Sequence, residues 1–174
     1  MRARLAQFLI TALSYLPLPQ VQVIGRCLAR LAAGFSPRFR QRIQDNLHHS
    51  KIAASYQSEA KLVKQSIDHI GMGAAELSIA WCRTPDDIMR LVQACEGWEH
   101  IEAAQARGEG LLLVTPHLGN YDIAGRYVSQ RLSCPLTAMY RPPKLAWLEP
   151  VMNQGRVRDK GKTAPATQQG YGKL

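Results

Sequence analysis

The sequence has 174 residues, of which 46% are apolar, and this is enough for one folded domain with at most a small appendage. Such a composition excludes a chain that is disordered throughout. The formal net charge of +9 favours anionic partners, namely phosphorylated substrates, acidic proteins, lipid headgroups or nucleic acid. The four cysteines show neither a CxxC pair nor a spacing with histidine that is typical of metal sites.

The first 35 residues consist of apolar segments with interspersed arginines. Residues 5–18 carry no charge, and a helix of this length would measure about 21 Å, which is short of the ~30 Å hydrocarbon core of a bilayer. Residues 20–35 form a second apolar segment, with Arg26 and Arg30 on one helical face. We predict that residues 1–35 are anchoring or interfacial helices on an anionic membrane and that their arginines keep the rest of the chain on the cytoplasmic side. The alternative is an ordinary helix pair of a soluble core, and whether residues 5–18 span the membrane or lie in its interface stays open.

Residues 36–108 are predicted to be a helical region. Apolar residues recur at helical spacing along it, and charged residues fill the other faces. One helix start is well marked, because Thr84 offers an N-cap, Pro85 fits the first turn and two aspartates follow. The predicted helices cover residues 37–49, 55–82, 84–93 and 98–107.

Residues 109–174 change the pattern and predict a partial α/β core. The run GLLLVT (110–115) is continuously apolar, has the length of a strand and is bounded by Gly and Pro, which is typical of a buried strand in a parallel sheet. The elements predicted after it are a helix at 120–132, a strand at 135–140, a helix from 142 to 158 and a loose polar tail at 159–174. The predicted fold class is therefore α/β, with N-terminal helices followed by the first strand–helix–strand–helix part of a sheet.

A histidine and an aspartate follow the predicted strand in the string TPHLGNYD. A loop at the carboxyl end of a parallel strand lies at the edge of the sheet where ligands bind. Gly119 lets the backbone bend or a substrate approach closely, Asn120 is a plausible N-cap, and Asp122 would lie in the first turn of the next helix. From there its carboxylate can orient the imidazole of His117, which would act as a general base on a hydroxyl group.

Taken alone, these residues leave other interpretations open. A single histidine near a strand end is most often structural or simply solvated. Zinc is poorly supported, because no second His or Cys lies at ligand spacing nearby. A serine hydrolase is also poorly supported, because the sequence has no G-x-S-x-G motif.

Three blocks in the same order give a resemblance to a known family. TPHLGNYD resembles the H-x-x-x-x-D/E motif of glycerolipid acyltransferases, and TPHLGNYDIAGRYVSQ with PLTAMYRPPK and GRVRDKGKTAP resembles the lipid A late acyltransferases of lauroyl or myristoyl type. The resemblance is strong over residues 85–170 and weak over the N-terminal helices. It implies transfer of a fatty acyl chain from acyl carrier protein to a hydroxyl of a lipid A precursor, at the cytoplasmic face of the Gram-negative inner membrane.

The resemblance also implies roles for individual residues. His117 would be the general base and Asp122 its orienter, and Gly119 and Asn120 belong to the substrate-binding loop. Arg141 would contact a substrate phosphate or the developing oxyanion. Arg156 and Arg158 would contact phosphates of the acceptor or of the carrier's prosthetic arm. For Arg156 and Arg158, a solvated basic face is the equally weighted alternative. No metal or cofactor is expected beyond acyl-acyl carrier protein as co-substrate.

The expected partners are acyl carrier protein, the anionic lipid A precursor and the inner membrane. Nucleic acid is not expected, because no basic platform interleaved with aromatic residues is visible. Family members continue beyond TAPATQQG, whereas this sequence ends with YGKL, so the resemblance implies a C-terminally truncated chain with an incomplete sheet and uncertain activity. The competing function is that of a non-catalytic basic protein that binds the membrane surface.

Overall fold

The computed structural model describes residues 2–52, 58–158 and 160–167. These residues are mostly helical, with one small parallel sheet. The elements in chain order are α1 (Arg2–Ser14), α2 (Leu18–Phe35), α3 (Pro37–His49), α4 (Glu59–Cys82), α5 (Pro85–Leu91), α6 (Trp98–Ala106), α7 (Tyr121–Arg131), β1 (Thr137–Tyr140), α8 (Leu148–Arg156) and β2 (Lys162–Pro165).

The chain divides into two compact units. The helical unit is Thr11–Ile79, and the mixed unit consists of Met1–Ile10 with Ala80–Leu174. The last residues of α4, from Ala80 onward, therefore belong to the mixed unit.

The helical unit is built on α2, α3 and most of α4. Ser36 ends α2 and caps α3, since its hydroxyl accepts a hydrogen bond from the Phe39 amide. One buried cluster consists of Ala29, Ile43, Val63 and Ile67, with the partly buried Ala33, Phe39 and Leu47 packed against it.

Helices α2 and α4 run antiparallel and cross where each has a glycine. Gln22 bonds to Glu76 at 2.8 Å, and further along Arg30 bonds to Asp68 at 2.6 Å through two of its nitrogens. Between these two pairs, a methyl group built on Gly25 would collide with the carbonyl oxygen of Gly71, and one built on Gly71 would collide with that of Gly25. The absence of side chains at both positions is what lets the two backbones touch.

The mixed unit contains a strand–helix–strand arrangement. β1 and β2 pair in parallel, in a register that joins Thr137 to Lys162 and Tyr140 to Pro165. Since parallel neighbours need a crossover connection, α8 lies between them in the chain. This βαβ arrangement agrees in part with the predicted α/β class, although the described residues contain a much smaller sheet than a complete α/β enzyme.

The strand predicted at 110–115 was wrong. These residues carry no regular secondary structure, and the exposed fractions of Leu112 and Val114 are 89% and 86%. The segment is as apolar as a buried strand, but a strand also needs neighbours for its amides and carbonyls. The only ladder among the described residues joins β1 to β2 and leaves this segment out.

The other sequence-based boundaries fared unevenly. The helix predicted at 37–49 is confirmed, and those predicted at 84–93, 98–107 and 120–132 form with slightly shorter bounds. The strand predicted at 135–140 is observed as β1, and the helix predicted from 142 begins only at Leu148. The tail predicted to be loose contains β2, while residues 168–174 lie outside the described residues, as do residues 55–57 of the helix predicted at 55–82.

Near the N-terminus, the two predicted apolar segments, residues 5–18 and 20–35, are largely covered by α1 and α2. In the part of the chain that the structure describes, no helix combines the length and apolar character that a membrane span requires. The functional division into residues 1–35, 36–108 and 109–174 stays a prediction.

The glycine crossing gives a test of the helical unit. We expect Gly71→Ala to lower the free energy of unfolding by about 1–3 kcal/mol, because the new methyl group would push α4 away from α2. Gly73→Ala is the matched control on the same helix, since its methyl group would meet no atom within 4 Å and alanine favours helix by up to about 1 kcal/mol. Urea unfolding measures both variants, and equal stability of the two would contradict the close contact.

Candidate active site

The loop that carries His117 leads directly into α7. The Leu118 amide donates to the Pro116 carbonyl at 2.8 Å, which makes a tight turn, and Gly119 follows with φ +61, a left-handed conformation that glycine adopts readily. Asn120 is the N-cap of α7, because its side-chain oxygen accepts from the Ile123 amide at 3.2 Å. The predicted cap is confirmed, and it fixes where the loop ends and the helix begins.

His117 itself is exposed at this turn. Its ring lies 4.5 Å from the ring of Tyr121, at an interplanar angle of 60°. An exposed imidazole on a loop is accessible to a substrate hydroxyl, and a general base must come within hydrogen-bond reach of the proton that it removes.

Asp122 is buried in the first turn of α7 and is paired with Arg156. The Nε of Arg156 donates to Oδ1 of Asp122 at 2.7 Å, and Nη2 donates to Oδ2 at 3.1 Å. The side chain of Asp122 is 6% exposed and that of Arg156 is 15% exposed. The carboxylate is therefore held by the guanidinium in a two-pronged ion pair, whereas the sequence predicted that it would fold back onto His117.

The ends of two helices favour the charges of this pair. Asp122 lies at the N-terminus of α7, where the helix dipole stabilises an anion, and Arg156 is the last residue of α8, where the dipole stabilises a cation. Burial alone would lower the pKa of Arg156, but its hydrogen bonds to Asp122 and the attraction of that carboxylate outweigh burial, so the pKa is raised. The guanidinium is consequently charged at neutral pH.

A glycine on α8 lets that helix approach the end of α4. A methyl group built on Gly155 would lie 2.7 Å from the Cα of Trp81 and would also collide with its Cβ. Gly155 directly precedes Arg156. The close packing of α8 on Trp81 therefore sets the position from which Arg156 reaches Asp122.

Arg126, on α7, binds the C-terminal end of α4. It was not singled out from the sequence. This side chain is only 3% exposed, and its Nη1 donates to the carbonyls of Ala80 and Arg83 at 2.7 and 2.9 Å. It thus satisfies carbonyl groups that the end of α4 leaves without helical partners. Its position four residues after Asp122, on the same face of α7, was the available signal, together with Ser129 one turn further along.

A second polar cluster joins β1 to α8. The Tyr140 hydroxyl donates to Glu149 at 2.7 Å and accepts from the Asn153 amide at 3.0 Å. The hydrogen bond to Glu149 raises the pKa of Tyr140, and this effect outweighs the opposing one of Asn153. The cluster attaches α8 to the strand and so adds to the placement of Arg156.

The two remaining predicted site residues, Arg141 and Arg158, are both exposed. Arg141 is exposed and directly follows β1, and it makes no hydrogen bond or ion pair within residues 2–52, 58–158 and 160–167. Arg158 is also exposed and donates to the Cys82 carbonyl at 3.1 Å. The structure therefore joins Asp122 to Arg156, and it leaves Arg141 exposed at the end of β1.

Among the described residues, no three side chains of His, Cys, Asp or Glu are grouped so that they could hold a metal ion. The expectation that the reaction needs no metal stays a prediction.

The sequence is similar to known proteins along most of its length. The family described as "Bacterial lipid A biosynthesis acyltransferase" matches residues 3–169. A lipid A biosynthesis lauroyltransferase of Escherichia coli K12 is 31% identical over 82% of this chain, and a palmitoleoyltransferase of the same strain is 27% identical over 82%. A lipid A biosynthesis acyltransferase of Shigella flexneri is also 27% identical.

These matches cover 46% of each relative, so the chain spans just under half the length of the curated proteins that it matches. No solved structure matches the chain. The family match nevertheless extends from α1 to the end of β2 and includes His117, Asp122 and Arg156. The chain belongs to the bacterial lipid A biosynthesis acyltransferase family.

Proposed function

We propose that this chain catalyses acyl transfer in lipid A biosynthesis, moving a fatty acyl chain from acyl carrier protein to a hydroxyl of a lipid A precursor. The reaction would take place at the cytoplasmic face of the inner membrane of a Gram-negative bacterium. The observation that carries the proposal is an exposed imidazole on the loop that leads into α7, five residues before a buried, arginine-held carboxylate in the first turn of that helix, in a chain of this family.

The proposed chemistry needs one base. Neutral His117 takes the proton of the acceptor hydroxyl while the hydroxyl oxygen attacks the thioester carbonyl carbon. The tetrahedral intermediate then collapses with cleavage of the carbon–sulfur bond. The departing thiolate takes the proton back from the imidazolium, so the enzyme returns to its starting state with the new ester formed and the carrier thiol released.

Asp122 can serve this base without leaving Arg156. A carboxylate accepts about four hydrogen bonds, and Arg156 uses one on each oxygen. The proposal requires the imidazole of His117 to turn from Tyr121 to Asp122 once the acceptor is bound, because catalytic hydrogen bonds often tighten only in the substrate complex. Arg156 would then be a positioning residue that holds the carboxylate still, in place of the phosphate contact expected from the sequence.

Apolar side chains around His117 suit an acyl substrate. Leu112, Val114 and Leu118 are 89%, 86% and 79% exposed and lie within a few residues of the histidine. A fatty acyl chain would cover them, and each fully buried aliphatic side chain contributes about 1.5–3 kcal/mol. Arg141, exposed at the end of β1, is the side chain that we propose for the phosphates of the acceptor or of the carrier's prosthetic arm.

The competing function is membrane-surface binding without catalysis. It is favoured by exposed apolar residues on α1, among them Leu5, Phe8 and Leu9, which are 57–68% exposed. Removal of the imidazole separates the two functions, because binding to a membrane surface does not need a base.

Transfer of a labelled acyl chain from loaded acyl carrier protein to a lipid A precursor tests the proposal. We expect His117→Ala to lower the rate by about a hundredfold or more, since it removes the general base. The matched control is His100→Ala, an exposed histidine on α6, which should retain the wild-type rate. Equal rates for His117→Ala and wild type would refute the mechanism, and a folded, membrane-bound wild type without transfer would favour the binding function.

The ion pair can be tested by unfolding alone. We expect Arg156→Ala to lower the free energy of unfolding by about 3 kcal/mol, because it leaves the Asp122 carboxylate buried without a partner. The double variant Asp122→Ala with Arg156→Ala should cost less than the sum of the two single variants. Arg158→Ala, which loses one exposed hydrogen bond to a carbonyl, is the control and should cost about 1 kcal/mol at most. Strict additivity of Asp122→Ala and Arg156→Ala would mean that the two side chains do not stabilise each other.

A further inference from the structure

One tyrosine contacts both the exposed histidine and the buried ion pair of the candidate active site. Tyr121 is the first residue of α7, directly before Asp122, and it is partly buried. Its ring lies 4.5 Å from the imidazole of His117, a separation typical of packed aromatic pairs. In the described part of the chain, no hydrogen bond or ion pair reaches this imidazole, so the contact with the tyrosine ring is what holds it.

The hydroxyl end of Tyr121 is bound by the arginine of the ion pair. Burial on its own would lower the pKa of Arg156; Asp122 reverses this effect, and the Tyr121 phenol adds to that of Asp122 through charge and hydrogen bonding. The guanidinium is itself fixed by its hydrogen bonds to Asp122 at 2.7 and 3.1 Å. Tyr121 is therefore fastened to Arg156 at its hydroxyl and supports His117 with its ring.

The backbone of Tyr121 is also held in place. Asn120 caps α7 by accepting a hydrogen bond from the Ile123 amide at 3.2 Å, and Gly119, with φ +61, makes the turn that precedes the cap. His117 stands before this turn, on an exposed segment without regular structure. The tyrosine thus belongs to the helix, and it gives the histidine of the loop a support that the loop does not provide.

We propose that Tyr121 is a positioning residue for His117. Its ring keeps the imidazole at the N-terminus of α7, beside Asp122, so that the base reaches the carboxylate by rotation of its own side chain once the acceptor is bound. Its hydroxyl, bound to Arg156, keeps the ring in this place. The inference rests on the proposed function, because the position of His117 matters for the rate only if His117 is the base.

Loss of this positioning should slow acyl transfer without weakening substrate binding. We expect Tyr121→Leu, which removes the ring and keeps an apolar side chain, to lower kcat by about tenfold and to leave KM within about twofold of the wild type. Tyr121→Phe keeps the ring and loses only the hydroxyl, so its kcat should recover to within about threefold of the wild type. The matched control is Tyr127→Leu, a partly buried tyrosine of the same helix that binds Arg131, and both of its constants should be those of the wild type.

A double variant separates positioning from a general weakening of the fold. If Tyr121 acts through His117, then Tyr121→Leu should change the residual rate of His117→Ala by less than about twofold, because the group that it positions is gone. A role in folding or in substrate contact would instead lower the rate by the same factor whether or not His117 is present. Urea unfolding verifies that each variant is folded under the assay conditions.

Nuclear magnetic resonance tests the ring contact without an acyl donor. In the full chain labelled at histidine, the ring protons of His117 are assigned by their absence from His117→Ala. We expect Tyr121→Leu to move these signals towards those of the exposed His100, because the ring current of the tyrosine is lost, and Tyr121→Phe to leave them nearly unchanged.

The outcomes distinguish this inference from the proposed function. Full kcat in Tyr121→Leu, or equal losses with and without His117, would overturn the positioning role and leave His117 as the base. Unchanged His117 signals in Tyr121→Leu would overturn the ring contact itself. If the folded wild type transfers no acyl chain, the proposed function fails and the role of Tyr121 in it fails too, whereas the His117 signals still report the contact.

Discussion

The ion pair between Asp122 and Arg156 is the constraint on which the mixed unit depends. It joins the first turn of α7 to the last turn of α8, at a separation of 34 residues in the chain. Two buried charges are tolerated only when their geometry is good and their hydrogen bonds are made. The rest of the unit provides that geometry: Gly155 brings α8 against Trp81, Arg126 secures the end of α4, and Tyr140 attaches α8 to β1. The C-terminal end of the loop with His117 is therefore held in place by the first turn of α7, which the ion pair fixes to α8.

Features that depend only on residues close together in the sequence could be predicted from it. Asn120 as a cap and Asp122 in the first turn of α7 follow from local helix chemistry, and both are observed. The partner of Asp122 could not be predicted in the same way. It lies on α8, which is separated from α7 in the chain by β1. Arg156 was singled out as a basic residue for phosphate, and only the fold shows that its guanidinium is directed to a carboxylate.

The segment at 110–115 shows why an apolar pattern alone does not predict a strand. Its residues are as apolar as those of any buried strand, yet a strand is a property of at least two segments, and a pattern within one of them carries no information about the other. β2 was missed for the complementary reason. Its sequence KTAP is polar and short, and it becomes a strand because β1 offers it a ladder in register. The βαβ arrangement was therefore predicted in kind, while its members were partly misassigned.

The contact between Gly25 and Gly71 has a consequence for the environment in which the helical unit works. Helices that meet through backbone atoms and small residues are held by van der Waals contact and not by expulsion of water from large side chains. The two glycines have no side-chain rotamers to lose at this contact, although each gives up the extra backbone freedom that glycine has in the unfolded chain. The contact also loses little when the surrounding medium changes from water to hydrocarbon, because its attraction does not come from the medium. The glycine contact itself is in this sense indifferent to solvent, whereas the Arg30–Asp68 ion pair beside it and the buried cluster of Ala29 with Val63 and Ile67 are not.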